Sequence, residues 1–208
     1  MATRNHSFYK LEEGIYWFTT SIINKQNIFI TKEYLEIIID SLKYLEVKRN
    51  IRTVLYCIMP NHLHWSFKLP SGKDNPINVY RDFKSYTAGE ILKNLTKELN
   101  GNLYRTLSLF INKKVCARHL PEYLLQIFEY KSMNKKKQRY AVWKEKPDLK
   151  IISSEKFFIE KANYCHGNPM QFKWQLVDDP VDYPYSSCRF YESKKDWNKL
   201  NILNPLFL

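Results

Sequence analysis

The apolar positions of the chain fall into runs whose spacing predicts alternating strands and helices. Gly14 precedes IYWFTTSII, a β-branched and aromatic run that is typical of a buried strand. Thr31 then caps a predicted helix over about residues 32–49. Its apolar residues recur at helical spacing, namely Leu35, Ile38, Leu42 and Leu45. The first strand is therefore followed by a helix with one apolar side.

Residues 51–69, IRTVLYCIMPNHLHWSFKL, predict a β-hairpin. Two strands over about 52–59 and 62–69 flank a turn at Pro60-Asn61, and the second strand opens with His62-Leu63-His64. Side chains alternate between the faces of a strand, so the two histidines point the same way and lie a few ångströms apart. Two imidazoles that converge beside a tight turn form a candidate pair of metal ligands.

A second helix is predicted from Asn75-Pro76 to about residue 95, with Asn75 as its N-cap and Pro76 at its first position. The order up to this point is β-α-β-β-α. It predicts an α+β fold in which helices pack on one face of an antiparallel sheet.

Residues 96–140 depart from this pattern and predict an insertion with a helix over about 122–133. The insertion is rich in basic residues, which form either a solvated charged face or a DNA-contacting surface. They include Lys113, Lys114, Lys135, Lys136, Lys137 and Arg139.

The last third of the chain predicts a short strand over 140–143 and a late helix that opens at Ser153-Ser154-Glu155. Gly167 and Pro169 stop this helix. The aromatic-rich tail, about 170–208, is predicted to wrap the domain as irregular structure, anchored by Trp174, Tyr183 and Tyr185. No repeat or low-complexity linker divides the chain, so residues 1–208 are predicted to form one domain.

Composition narrows the class of protein. The 208 residues carry a formal net charge of +12 and a sequence pI of about 9.4, which favours a polyanionic partner. Five glycines argue against a glycine-rich phosphate-binding architecture, and four widely spaced cysteines favour free thiols in a reducing cytoplasm. The sequence contains no signal core and no long apolar run, so a cytoplasmic protein with no membrane contact is expected.

The late helix adds Tyr164 and Asn168, which are four residues apart and share a helix face. A tyrosine hydroxyl, with a pKa of about 10, attacks a phosphodiester effectively only when a cation polarises the phosphate. A ligand set of two imidazole nitrogens and one amide oxygen suits Mn²⁺ and can also bind Mg²⁺. From the residues alone, however, His62 and His64 are only a candidate metal site, and a helical tyrosine such as Tyr164, one of 15 in the chain, is almost always a packing residue.

Five motifs occur in order along the chain: MPNHLH at 59–64, FKSYT at 83–87, VWK at 142–144, YCHGNP at 164–169 and YSS at 185–187. In this order and spacing they resemble the landmarks of the REP-associated tyrosine transposases, which are single-tyrosine HUH transposases. The resemblance extends from about residue 14 to residue 191.

The resemblance implies a ferredoxin-like sheet and an enzyme that nicks and rejoins single-stranded, hairpin-associated DNA. Tyr164 matches the nucleophile, and His62 and His64 match the ligands of a divalent metal, Mg²⁺ or Mn²⁺. Asn168 matches the asparagine that completes the metal site. Attack leaves a 5′-phosphotyrosine and a free 3′-OH. The alternative is a domesticated relative that binds DNA hairpins without cleaving them, and either could be a monomer or a homodimer.

The predicted DNA contacts combine basic residues that hold the backbone with aromatic rings that stack on bases. Besides the basic residues of the insertion, they include Arg81, Lys84, Tyr140 and Trp143. The chain departs from many relatives after Trp143, where it reads KEKPDLK, and its insertion is longer than compact relatives need.

Three residues rival the assigned ones. His166 lies two positions after Tyr164, which turns it about 160° away on a helix, so a surface or core role is predicted for it. Tyr86 and Tyr140 are the rival nucleophiles. The first is predicted to pack, and the second to stack on a base.

Overall fold

The computed structural model describes residues 14–70, 75–100, 121–132, 139–146, 148–193 and 195–205, with the backbone alone for 130–132. None of the helices in the ranges described combines the length and hydropathy needed to cross a membrane. In chain order the elements are β1 (Gly14–Ser21), α1 (Lys32–Arg49), β2 (Arg52–Met59), β3 (His62–Leu69), α2 (Pro76–Asn100), α3 (Pro121–Ser132), β4 (Asp148–Ile152), α4 (Glu155–Gly167) and α5 (Cys188–Ser193).

The four strands form one antiparallel sheet in the order β2-β3-β1-β4. Because β3 inserts between β1 and β2, the β1-α1-β2 unit is split, and the arrangement is ferredoxin-like, as expected. The hairpin of β2 and β3 has the predicted bounds and turns at Pro60-Asn61. The strand that carries both histidines is therefore an interior strand, hydrogen-bonded on both sides.

One face of the sheet is covered by α1 and α2, which bury their apolar sides against it. Phe18 of β1 and Trp65 of β3 pack there with Ile38 of α1 and Phe83 of α2, and all four are fully buried. Burying such large apolar side chains stabilises the fold by roughly 1.5–3 kcal/mol each. This layer corresponds to the predicted packing of helices on one face.

Helix α4 departs from that prediction, because it lies on the opposite face. Its Phe158 and Cys165 pack against Trp17 of β1 and Cys57 and Met59 of β2. The spacing of apolar residues showed that α4 has a buried side, but not which face of the sheet would receive it. The cysteines of this layer are free thiols, as predicted.

The aromatic tail covers the outer edge of β2 and is more regular than predicted. The backbone N–H of Ile58 donates to the carbonyl of Tyr185 at 2.9 Å, and that of Ser187 donates to the carbonyl of Tyr56 at 2.9 Å. The buried hydroxyl of Tyr183 donates to the carbonyl of Ile58 at 2.6 Å. The tail also contains a 3₁₀ turn and helix α5. These contacts protect an edge strand that would otherwise present unpaired backbone groups.

The fourth strand lies later in the chain than predicted. Residues 140–143 form only an isolated bridge, in which Trp143 pairs with Ile22 beyond the end of β1. Strand β4 is Asp148–Ile152, which pairs with β1 from Thr19 to Ile15. Most of its side chains are exposed, so DLKII carries little of the apolar pattern that marks a buried strand.

The predicted insertion is partly described. Helix α2 continues to Asn100, beyond the predicted end at about 95, and α3 is one residue offset from its predicted bounds. Leu124 and Phe128 of α3 are buried in the same core as α2. Residues 101–120 and 133–138 lie outside the described ranges, and so do Lys113, Lys114, Lys135, Lys136 and Lys137. The single-domain boundaries stay a prediction.

Candidate active site

The two histidines of β3 lie side by side on the face that α4 covers. Their ring centroids are 4.8 Å apart and their planes are nearly perpendicular, at 85°. The alternation of a regular strand therefore places them as the sequence predicted. Because β3 is paired on both sides, the backbone that carries the two rings is firmly held.

Asn61, in the hairpin turn, fixes which nitrogen of His62 carries the proton. Its Nδ2 donates to the carbonyl of Lys25 at 3.1 Å and to Oδ1 of Asn27 at 2.9 Å. Its Oδ1, an acceptor only, lies 2.9 Å from Nδ1 of His62. Nδ1 must therefore be the donor, and in the neutral ring the free lone pair is on Nε2. In metalloproteins, a hydrogen bond of this kind from a neighbouring residue fixes the tautomer and orientation of a metal-binding histidine.

His64 is held more deeply. Its Nδ1 lies 3.0 Å from Oγ1 of Thr19, its cross-strand neighbour on β1, and its ring stacks on Trp17 at 5.4 Å. Its Nε2 is buried, with no hydrogen-bond partner in the part of the chain that is described. An orphaned buried nitrogen costs about 1–3 kcal/mol unless something binds it. The donor set thus fits a bound cation.

Both imidazoles are neutral at pH 7. Burial, followed by the positive charges of Lys173 and Lys25, lowers the pKa of His62 to about 4. Burial, then the neighbouring His62 and the charges of Lys161 and Lys173, lowers the pKa of His64 to about 3. Neutral rings keep their lone pairs for a ligand, and the three lysines make the surroundings favourable to an anion.

Tyr164 approaches this pair from α4. Its ring centroid is 5.1 Å from that of His64, at an interplanar angle of 75°. The hydroxyl of Ser154 caps the helix by accepting from the N–H of Phe157 at 3.2 Å, and Phe158 and Cys165 anchor the helix on the sheet. Tyr164 itself is 48% exposed, so a substrate can reach it.

Asn168 lies at the C-terminal end of α4, one turn after Tyr164. Although Pro169 follows it, Asn168 keeps helical dihedral angles, φ −57° and ψ −44°, as the C-cap of α4. Its side chain is buried, and Nδ2 donates to the carbonyl of Tyr164 at 2.6 Å. The predicted association of Tyr164 with Asn168 is therefore present, and the amide oxygen is the atom of Asn168 that suits a cation.

Comparison with known proteins gives consistent relatives. A Haemophilus influenzae protein assigned as a REP-associated tyrosine transposase is 23% identical over 177 residues, which cover 84% of this chain and 79% of that protein. The solved structure of a REP-associated tyrosine transposase bound to a REP hairpin superposes with a TM-score of 0.58 at 15% identity, covering 93% of this chain and 87% of that one. The chain resembles REP-associated tyrosine transposases in sequence and in fold. No family model matches it.

The three alternative residues considered from the sequence lie away from the histidine pair or have other partners. Nε2 of His166 is 2.9 Å from Oγ of Ser187, and burial lowers the pKa of this histidine to about 4. Tyr86 stacks on Tyr44 in the helical layer, across the sheet from the histidines. The guanidinium carbon of Arg139 lies over the ring of Tyr140, 5.2 Å from the centroid of that ring. His166 is thus half-buried against Ser187, and the role predicted for it was one at the surface or in the core.

The predicted DNA contact at Trp143 needs correction. This side chain is 4% exposed, stacks on Phe29 at 5.7 Å, and donates from Nε1 to the hydroxyl of Thr87 at 3.0 Å. A base cannot stack on a ring enclosed in the core. The VWK motif therefore contributes packing.

The other described basic candidates already bind the protein. Nζ of Lys84 donates to the hydroxyl of Tyr80 at 2.6 Å and to the backbone carbonyls that follow Trp143. Arg81 donates to Asn78 at 2.8 Å, and Arg139 pairs with Glu129 at 3.2 Å. These contacts account for the three residues without DNA, and their DNA role stays a prediction.

Sequence reasoning missed several residues that surround the histidines. Asn61 and Thr19 orient the rings, Lys161 and Lys173 supply charge, and Trp174 lies 5.9 Å from His62, ring centroid to ring centroid. Only the adjacency of Asn61 to His62 was visible in the sequence. In the described ranges no cluster of three or more His, Cys, Asp or Glu side chains that could hold a metal ion occurs.

Proposed function

We propose that this chain is a DNA strand transferase that nicks and rejoins single-stranded, hairpin-associated DNA through Tyr164. The observation that carries the proposal is the 5.1 Å separation of the Tyr164 and His64 rings within one chain. The hairpin ligand is inferred from the solved relative, which is bound to a REP hairpin.

In the proposed reaction, Oη of Tyr164 attacks the scissile phosphorus, and the bond from phosphorus to the 3′ oxygen of the preceding nucleotide breaks. The phenol loses its proton and the departing 3′ oxygen gains one. The products are a 5′-phosphotyrosine and a free 3′-OH. Because the phosphodiester bond is exchanged rather than hydrolysed, attack by a 3′-OH can reverse the reaction without ATP.

The residues of the chain divide this work. His62 would offer the lone pair of Nε2, His64 its buried Nε2 and Asn168 an amide oxygen. Together they would hold Mg²⁺ or Mn²⁺, whose Lewis acidity would polarise the phosphate. Lys161 and Lys173 add positive charge where the substrate phosphate would lie. Helix α4 presents Tyr164 at the open side of the pair, where a flexible strand has access.

The second candidate is a protein that binds the DNA hairpin without cutting it. The small donor set favours this alternative, because among the described residues only two imidazoles meet at the site. Both candidates share the basic character of the chain and the same surface.

One assay separates the two candidates. The full chain is incubated with Mn²⁺ or with EDTA and with a hairpin oligonucleotide labelled at its 3′ end, so that a 5′-phosphotyrosine adduct carries the label. We expect a labelled adduct on a denaturing gel that is absent in EDTA and in Tyr164→Phe. Tyr86→Phe is the matched control, because Tyr86 is also half-exposed but lies across the sheet.

Other outcomes have definite meanings. Cleavage that survives in Tyr164→Phe would show that another nucleophile or water does the chemistry. If the chain binds the hairpin but forms no covalent adduct with any divalent metal ion tested, the result would support the non-cleaving alternative.

A further inference from the structure

We propose that Phe172, Lys173 and Trp174 form a platform that binds an unpaired nucleotide of single-stranded DNA beside the histidine pair. This inference rests on the proposed function, since it names a substrate contact of the same site. None of these three residues belongs to the predicted set of DNA contacts.

The platform begins where α4 ends, in a closely turned segment. After Asn168, the N–H of Gln171 donates back to its carbonyl at 3.1 Å, and the N–H of Trp174 donates to the carbonyl of Gln171 at 2.7 Å. The N–H of Leu176 closes the segment on the carbonyl of Pro169 at 2.9 Å. These backbone hydrogen bonds hold the backbone of the segment in a defined turn.

Trp174 faces the site and Phe172 faces the solvent. The ring of Trp174 lies 5.9 Å from that of His62, and its buried Nε1 has no hydrogen-bond partner in the described part of the chain. Phe172 is 91% exposed. Two residues of chain span at most about 7 Å, so the backbone of Phe172 lies within about 7 Å of that of Trp174, whose ring borders His62.

The charge of the segment matches a phosphate backbone. Nζ of Lys173 lies 5.2 Å over the ring of Trp174, and that ring in turn lies 5.9 Å from the ring of His62. Its positive field therefore extends over the site where a scissile phosphate would sit. The segment combines an exposed ring with a cation, the two features that bind single-stranded nucleic acid without base pairing.

The alternative occupant of an exposed apolar cluster is a second copy of this chain. Met170 and Leu176 are also exposed and extend the apolar surface around Phe172. Single-stranded DNA is the better match, because Lys173 stands within the cluster and the cluster adjoins the candidate active site. A base has an apolar face that an aromatic ring covers regardless of its identity.

The test is a binding measurement that does not depend on cleavage. The full chain carrying Tyr164→Phe is titrated in EDTA against a fluorescein-labelled hairpin with a single-stranded tail and against the same hairpin without the tail. Fluorescence anisotropy gives Kd for the parent and for Phe172→Ala, Phe172→Tyr and Tyr86→Ala. The last is the matched control, an exposed aromatic ring on the other side of the sheet.

We expect Phe172→Ala to weaken binding of the tailed hairpin by about fivefold or more, the cost of losing one stacked base. Phe172→Tyr should retain the affinity, Tyr86→Ala should not change it, and the untailed hairpin should respond to none of the three. Lys173→Ala should weaken binding as well and should reduce its dependence on salt, whereas Lys97→Ala, an exposed lysine of the helical layer, should not.

Two results would overturn the platform. One is an unchanged Kd for Phe172→Ala with the tailed hairpin. The other is a change of oligomeric state in Phe172→Ala, seen by light scattering, without a change in DNA affinity, which would assign the cluster to a second copy of the chain. Because Tyr164 is already Phe in these proteins, a failure of Tyr164 as nucleophile leaves this test unaffected.

Discussion

The ring of Tyr164 lies edge-on to the ring of His64, 5.1 Å away, although the two residues are 100 positions apart in the sequence (64 to 164). The contact exists because α4 crosses the face of the sheet on which β3 presents its histidines. A phenol, two neutral imidazoles and a buried amide thus share one small region of a single chain. Four expectations test how this region is built and what it does.

The first concerns Lys161, one turn before Tyr164 on α4. Its Nζ is 5.9 Å from the Tyr164 ring centroid and 3.6 Å from the carboxylate of Glu160, which partly offsets its charge. A cation there stabilises the negative charge that develops as a phenol attacks a phosphate. We expect Lys161→Met to slow adduct formation about tenfold in single-turnover quench experiments, with Lys161→Arg close to the parent. Lys156→Met, an exposed lysine of the same helix, should react normally, and an equal loss in that variant would point to helix stability instead.

The second concerns Asn61 as the residue that orients His62. Asn61→Ala removes the acceptor that holds the proton on Nδ1. We expect Mn²⁺ affinity, measured by titration calorimetry, to fall about 10–100-fold, as for other second residues behind metal-binding histidines. Asn27→Ala removes a different hydrogen bond of Asn61 and serves as the control. Equal losses in the two variants would mean that the loop, rather than the tautomer, determines affinity.

The third concerns Trp143, which occupies the core. Truncation to Ala should lower the free energy of unfolding by about 3–5 kcal/mol, the usual cost of removing a buried Trp or Phe side chain. Trp143→Phe keeps most of the volume and loses the hydrogen bond to Thr87, so it should cost less. Urea denaturation measures both. A well-folded Trp143→Phe protein that had lost DNA affinity would contradict the core assignment.

The fourth concerns pH. Burial lowers the pKa of His166 to about 4, against 6.5 for an ordinary histidine. Between these values the unfolded chain binds a proton that the folded chain does not, so stability falls as the pH falls from about 6.5 to 4. The slope is at most about 1.4 kcal/mol per pH unit for one histidine. Urea denaturation at several pH values should show a shallower slope in His166→Gln, whose amide can still bond with Ser187. An unchanged slope would mean that His166 does not titrate on unfolding.

The parts of the fold that could be predicted are those set by local pattern. The bounds of β2, β3 and α1 follow from alternation and helical spacing, and the histidine pair follows from the same alternation. Strand β4 escaped prediction because it lies at the exposed edge of the sheet, where few apolar residues are needed. The short segment before it, Ala141–Trp143, is buried and apolar yet forms only a bridge.

The candidate site, like the fold, could be predicted from the sequence only in part. Motif order pointed to His62, His64 and Tyr164, but the sequence could not show that α4 would dock on the far face of the sheet. Neither could it show that Lys173 and Trp174, from the tail, would reach the histidines. Such long-range placements depend on the packing of whole elements, for which local spacing contains no signal.

The interior position of β3 has a consequence for the native ensemble. Backbone ladders on both sides hold His62 and His64, whereas α4 is attached to the sheet largely through side chains such as Phe158 and Cys165. The free energy needed to undock α4 is therefore smaller than that needed to open the strand. Tyr164, the proposed nucleophile, can therefore move away from the histidine pair and return while the pair itself stays in place. Amide hydrogens of α4 should therefore exchange with solvent before those of β3. The fraction of molecules in which α4 is docked on the sheet sets an upper limit on the fraction that can carry out the proposed reaction at any moment.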